Sequence, residues 1–349
     1  MRIVALFVLA AWCAECAWGG FTVVDYPVVL LFLGPLYGGA ALLIREVARR
    51  RGAGWLCIVL LAAAFGLFQA ALVDQSLLDR AALAGTQFAE WNRAAGATTV
   101  FGVSAEQLLD FVGGHVWLSI CAPIALVEAF VAPEARHRPW LGRRGLVVAG
   151  VLYAAGSALI WSDSGRVASG AQSAVVLAVC GLLVVAALPR WPQRQARSPH
   201  RAATPGPRAE AARGSQRAVL GPLALGAVVL GAHVAGWFFG SQWLGVGLRW
   251  LMLLVVGSLV WWQARSPRHV VAVLGAGVLV AAAAAWLAPP YEAAPPWLMV
   301  VSDVVVSLIA VTLVTAAFLR TGPAPRRGRG LVMSDPDRPC GPASVDAHP

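Results

Sequence analysis

Ten apolar blocks, each about the length needed to carry a helix across ~30 Å of hydrocarbon, limit what this chain can fold into more than any other feature. They fall near residues 3–19, 22–44, 54–73, 111–132, 145–161, 171–189, 218–240, 243–262, 270–288 and 297–319. The runs are continuously apolar rather than alternating, so they read as helices and not as the strands of a membrane barrel. Of 349 residues, 59% are hydrophobic and only 13% charged. The expected fold is therefore all-α, a polytopic transmembrane helical bundle of about ten spans.

Charge orients the bundle. The net charge of +10 is carried in short segments between apolar blocks, which makes it a topology signal rather than a nucleic-acid footprint, and no nucleic acid is expected as a partner. One set of alternate loops holds Arg45, Arg49, Arg50 and Arg51, then Arg136, Arg138, Arg143 and Arg144. The same set continues with seven arginines from Arg190 to Arg217, then Arg265 and Arg268, then five from Arg320 to Arg338. With Arg2, twenty-three arginines stand on that side against Arg80, Arg93 and Arg166 on the other. The positive-inside rule then puts both termini in the cytoplasm, N-in and C-in. Arg2, an apolar stretch and small residues near Ala14 and Ala17 also resemble a secretory signal, but Trp12 and Glu15 spoil the cleavage region, so an uncleaved first helix is expected.

This gives the domain reading. Residues 1–144 form a module of helices one to four with an outer loop at 74–110, and residues 145–189 hold helices five and six. Residues 190–217 are a basic, disordered cytoplasmic linker, 218–319 hold helices seven to ten, and 320–349 are a disordered tail. Both basic segments are expected to meet anionic lipid. In the outer loop Leu77, Ala81, Ala84, Phe88 and Trp91 recur at helical spacing, and Ser104 with Gln107 has the form of a capping box for helix four. Gly34, Pro35, Gly38 and Gly39 in helix two, and Gly113, Gly114 and Pro123 in helix four, predict close packing or a kink.

All 27 basic residues are arginine, which removes every chemistry that needs a lysine amine: a P-loop, a pyridoxal-phosphate Schiff base and a Ser-Lys nucleophile. There is no HExxH, GxSxG or metal-spaced Cys/His cluster, so no metal or cofactor is expected. Cys13 and Cys16 have CxxC spacing without a redox or metal context and read as packing residues.

Chemistry is left to the polar groups inside spans, which are costly to insert and therefore candidate functional positions. They are Glu15, Asp25, Gln69, Asp74, Asp110 and His115 in the first four helices, and His233, Arg249 and Asp303 in helices seven, eight and ten. Counted along the helices all of them fall in the outer half of the membrane, whereas Glu128 lies near the inner end of helix four. Two readings stand side by side: a connected outward-opening cluster that binds a small solute, ion or proton, with Arg249 paired to Asp303 or Glu15, or groups that snorkel to the nearby interface and join helices by hydrogen bonds. Trp12, Trp117 and Trp250 are expected to fill gaps between helices.

The runs Leu36–Trp55, Gly66–Leu77 and His115–Ala129 resemble a group of actinobacterial multi-pass membrane proteins, and the arginine, alanine and glycine bias fits a high-GC bacterial genome. That resemblance implies a bacterial plasma-membrane location and carries no activity. A more remote similarity is to the CPBP or CAAX-type intramembrane proteases, which carry a Glu-Glu pair with a nearby arginine and histidines on later helices. Here Gln69-Ala70 stands in the analogous place and only His115 and His233 could serve as the histidines. Glutamine cannot act as a carboxylate base. The expected function is thus non-enzymatic, transport-like or a scaffold, with a degenerate intramembrane hydrolase as the alternative.

Overall fold

A computed structural model describes residues 1–165, 167–189 and 220–322. Of the segments expected to be disordered, 190–217 lies outside the described residues, as does 323–349 of the tail, whereas Arg320 is the last residue of a helix. All ten apolar blocks are helical. We number them α1 (Arg2–Ala11, running on into a π-helical turn, Trp12–Cys16), α2 (Tyr26–Arg50), α3 (Trp55–Val73), α4 (Ala105–Ala129), α5 (Arg143–Asp163) and α6 (Gly170–Ala187). The last four are α7 (Pro222–Gly236), α8 (Trp243–Gln263), α9 (Pro267–Ala285) and α10 (Pro296–Arg320). Eight of them are long and apolar enough to cross a membrane. The exceptions are α1, with ten α-helical residues and a five-residue π turn, and α7, with 15 residues.

Burial separates a centre from a rim. In α9, 67% of the most apolar window is buried, whereas in α8 the share is 6%. The central helices are α2, α3, α4 and α9. The outward faces of α5, α6, α8 and α10 present leucine and valine, among them Val147, Leu182, Leu254 and Leu308, as expected for helices that meet lipid on one side. α4 is the hub, packed against α1, α2, α3, α9 and α10, while α2 packs on α1 and α5, and α3 on α6.

Small residues set these approaches. Gly34 and Gly38 of α2 receive the Phe7 ring from α1, and Gly39 receives Tyr153 of α5. The expected close packing is therefore present, and α2 runs unbroken through Pro35. On α9, a Cβ at Gly277 would fall on the Trp117 indole nitrogen, which donates to the Leu274 carbonyl at 3.2 Å. Trp117 thus fills the gap between α4 and α9.

Two local expectations change. Ahead of α4 the outer loop is α-helical only over Ala89–Ala95, followed by a 3-10 turn at Gly96–Thr98, because Asp79 accepts from the Ala81 amide and Thr86 from the Phe88 amide, local turns that compete with a continuous helix. Only half of the Ser104 capping box forms. Ser104 accepts from the Gln107 amide at 3.2 Å, but the Gln107 side chain donates instead to Asn92. Just before it, β1 (Thr99–Val100) and β2 (Val103–Ser104) make a small antiparallel hairpin, turned by Phe101 and Gly102, both at positive φ as a type I′ turn requires.

Candidate functional site

The helices that carry the polar candidates depart from α geometry where those residues sit. π-helical turns span Trp12–Cys16, Gln69–Val73, Leu108–Val112 and His115–Cys121, and they contain Glu15, Gln69, Asp110 and His115. A π turn inserts an extra residue and frees backbone groups, which is why such turns gather at functional sites. In α4 the cause is visible in the sequence. Pro123 has no N–H to donate one turn back and its ring crowds that carbonyl, so the preceding turn widens.

Four candidates gather in one polar cluster between α1, α2, α3 and α4, hereafter the chamber. The Tyr37 hydroxyl donates to Glu15 Oε1. Gln69 Nε2 donates to Asp74 Oδ2 at 3.3 Å, and Asp74 Oδ1 accepts from the Ser76 amide at 2.8 Å. The His115 ring lies 5.7 Å from Tyr37 and 5.6 Å from Phe65, centroid to centroid, with Nδ1 3.2 Å from Ser119 Oγ. Asp74 is within electrostatic reach of Glu15, Tyr37 and His115.

Glu15 and His115 are half-buried and keep some accessible surface. Among the described residues, no arginine forms an ion pair with Glu15 or Asp74. The Oε1 of Gln69, a residue only 1% exposed, has no hydrogen-bond partner.

The remaining candidates do not join this chamber. Arg249 pairs with neither Asp303 nor Glu15. Its Nη1 reaches Glu106 Oε1 at 3.1 Å and its Nη2 contacts Asp110 Oδ1, so the expected single cluster is split. The reason lies in α4, which starts at Ala105 behind the expected Ser104 cap, six residues before its apolar stretch at 111, and brings Glu106 and Asp110 together, one turn apart, opposite α8. Ser241 also donates to Glu106, at 3.1 Å.

Asp25 closes its own turn, accepting from the Thr22 amide at 3.0 Å and the Thr22 hydroxyl at 2.6 Å. His233 contacts the Val229 carbonyl at 2.9 Å and stacks edge-on against Trp117, at 5.0 Å. Asp303 is half-buried and lines a small recess with Thr22 and Ser302. Neither His233 nor Asp303 touches the chamber. Cys13 and Cys16 are free and buried, in keeping with a packing role.

Sequence reasoning missed a second ionic centre at the other end of the bundle. Arg45 and Arg49, counted as loop charges, lie inside α2 at 0% and 4% exposure. Glu128 holds both: Oε1 accepts from Arg45 Nε and from Arg49 Nε, each at 2.9 Å, and Oε2 accepts from Arg49 Nη2 at 2.7 Å. Arg45 Nη1 donates to Glu46 at 3.0 Å and Nη2 to the Arg136 carbonyl at 2.8 Å, and its guanidinium lies 3.2 Å over the Trp140 ring centroid.

Glu46 accepts from the Trp140 amide at 2.7 Å and the Leu141 amide at 3.2 Å. Arg136 Nε donates to the Glu128 carbonyl at 2.9 Å, and burial lowers the pKa of its guanidinium. Every carboxylate here has a cationic partner and further hydrogen bonds, the condition under which a buried ion pair is tolerated. The one available signal was spacing: Arg45, Glu46 and Arg49 share about one helical turn, and Glu128 stands alone at the same expected depth.

No protein-family model, no curated protein and no solved structure matches this chain.

Proposed function

We propose that this is a multi-pass membrane protein, transport-like rather than a pure scaffold, that binds a small cation or a proton in the chamber of Glu15, Tyr37, Gln69, Asp74 and His115. One observation carries the reading: two carboxylates, Glu15 and Asp74, lie within electrostatic reach of one another, and no arginine pairs with either among the described residues. Carboxylates inside a low-dielectric protein without a counter-charge take up a proton or a cation. A scaffold would gain nothing from leaving them unbalanced.

A bacterial plasma-membrane setting, ten spans and cytoplasmic termini are part of the same proposal, resting on the arginine asymmetry. Under that orientation the Asp74 end of the chamber faces outward. From Tyr37 to Arg45 α2 rises about 12 Å, through a stretch where Ala40, Ala41, Leu42 and Ile44 are buried, so an apolar layer lies between the chamber and the inner ion pairs.

The hydrolase alternative has less support. Its histidines would be His115 and His233, and the second is held by Val229 and Trp117. Ser119, the hydroxyl beside His115, is 1% exposed, out of reach of a substrate.

A ligand that binds only the folded state raises the melting temperature as its concentration rises. The detergent-solubilised protein is therefore expected to melt later as monovalent cation or proton concentration increases, at constant ionic strength. Glu15→Gln and Asp74→Asn should lose that response. An identical response in wild type and both variants would overturn the proposal.

A further inference from the structure

Away from the chamber, three segments of the chain enclose the recess that Asp303 lines: the turn after α1 at Gly19 and Thr22, the α9–α10 connection at Ala288, and α10 itself at Ser302 and Asp303. The turn is fastened on both sides. The Tyr291 amide donates to the Gly20 carbonyl at 2.9 Å, and the Val23 amide donates to Ser302 Oγ at 2.9 Å. Gly19 has a φ of 85°, and a Cβ there would lie 2.8 Å from Ala285 Cα, so glycine lets the turn rest directly on α9. The recess measures about 10 Å³, room for one water-sized particle and for nothing with a carbon skeleton.

The polar side chains that line it have no hydrogen left to give. A carboxylate and a carbonyl can only accept. The Thr22 hydroxyl proton therefore lies on Asp25 Oδ2, at 2.6 Å, and the Ser302 proton on the Leu298 carbonyl, at 2.7 Å. Thr22 and Ser302 are 5% and 3% exposed, and what their oxygens offer the recess is lone pairs, beside those of the Asp303 carboxylate. Asp303 has no ion pair among the described residues, and neither has Asp25, one hydrogen bond behind Thr22. A water molecule would donate two hydrogens here and leave both charges uncompensated. A cation answers the acceptors and the charge together, and two acids match a divalent one.

We infer that the recess is a site for one divalent cation of the calcium type, separate from the chamber and additional to it. The Asp303 carboxylate, Thr22 Oγ1 and Ser302 Oγ are its ligands. Asp25 acts through Thr22, by drawing the hydroxyl proton away from the ion and adding its charge. Asp303 is half-buried, so water on its accessible side completes the roughly six to eight oxygens that calcium takes. The bound ion joins the turn after α1 to α10.

The test is titration calorimetry on the full chain in detergent, freed of metal on a chelating resin, with calcium and sodium chlorides at one pH and ionic strength. Calcium is expected to bind saturably, one ion per chain, with a Kd on the order of 10⁻⁴–10⁻³ M, the range of weakly charged calcium sites, and at least tenfold more tightly than sodium. Asp303→Asn should weaken it at least tenfold, and without metal this variant should melt no earlier than wild type, which separates a lost ligand from a lost fold. Glu90→Gln, at an exposed acid of the outer loop, should leave calcium binding unchanged. Absence of saturable calcium binding to the wild type, or sodium binding as tight as calcium, overturns the divalent assignment. Calcium binding that survives Asp303→Asn, or that falls equally in Glu90→Gln, overturns the location. None of these results bears on the melting response of the chamber to monovalent cations or protons, so the two readings fail separately.

Discussion

Glu128 and Glu15 are the same residue type on neighbouring helices, and their surroundings are opposite. Glu128 is surrounded by donors: two arginines give three charge-assisted hydrogen bonds to its carboxylate, and the cations in turn are tied to Glu46, backbone carbonyls and Trp140. Glu15 receives one neutral hydrogen bond from Tyr37 and has another acid, Asp74, within electrostatic reach. The first arrangement is closed and consistent with a clamp that joins α2 to α4 and to the connection before α5. The second is electrically unfinished. Whether an intramembrane carboxylate has its charge balanced is something an inventory of ionisable residues cannot reveal.

The largest expected contrast follows directly. Glu128→Ala strands Arg45 and Arg49 as buried cations and should cost about 3–5 kcal/mol, read as a large fall in melting temperature in detergent. Glu15→Gln removes an uncompensated charge and should leave stability unchanged or raised when no ligand is present. If both substitutions destabilise equally, the distinction between clamp and chamber is lost.

The Arg249 group tests an intermediate case, since Arg249 and Asp110 keep some exposure while Glu106 is buried. Arg249→Ala should cost about 1–3 kcal/mol by leaving Glu106 unpaired. Adding Glu106→Gln should restore part of the loss, and strictly additive losses in the double-mutant cycle would mean the two groups do not interact. Gly277→Ala should cost a comparable ~1–3 kcal/mol by displacing Trp117, and pairing it with a smaller residue at 117 should relieve the clash.

The smallest effect belongs to His137, at the edge of the clamp, where burial and then the Arg49 charge lower its pKa. A histidine whose folded pKa lies below the unfolded one contributes stability above the ordinary value of about 6.5, and loses it as pH falls below that. A shallow drop in melting temperature below that pH is expected, and His137→Ala should flatten it. A drop of equal size in the variant would assign the slope to another group.

The bundle itself was legible because each apolar block is long and uninterrupted, and insertion into hydrocarbon leaves helix as the economical way to satisfy the backbone. The positions of Glu15, Gln69, Asp74 and His115 as polar groups within apolar helices were equally plain. Their grouping was not, because it depends on which faces of four helices meet, and the π turns at three of the four rotate those faces away from a regular 3.6-residue count. The Arg249 pairing was missed for a related reason: the Ser104 cap already set the start of α4 ahead of its apolar stretch, but Glu106 was grouped with the outer loop and not weighed as a partner. Arg45 and Arg49 were misplaced because a charge count treats an arginine at a helix end as loop, whereas the structure folds their side chains inward beneath Trp140 and Trp55.

The central claim is that the chamber acids are reachable and unbalanced while the clamp acids are sealed and balanced. It is tested most directly by labelling the solubilised protein with a hydrophobic carbodiimide, which reacts with carboxyls in apolar surroundings, and mapping the modified residues by mass spectrometry at low and high sodium concentration. Glu15 and Asp74 should be modified, and shielded when the cation is present, while Glu46 and Glu128 remain unmodified throughout. Modification of Glu128 as fast as Glu15, or labelling of Glu15 that ignores every cation tried, would contradict it.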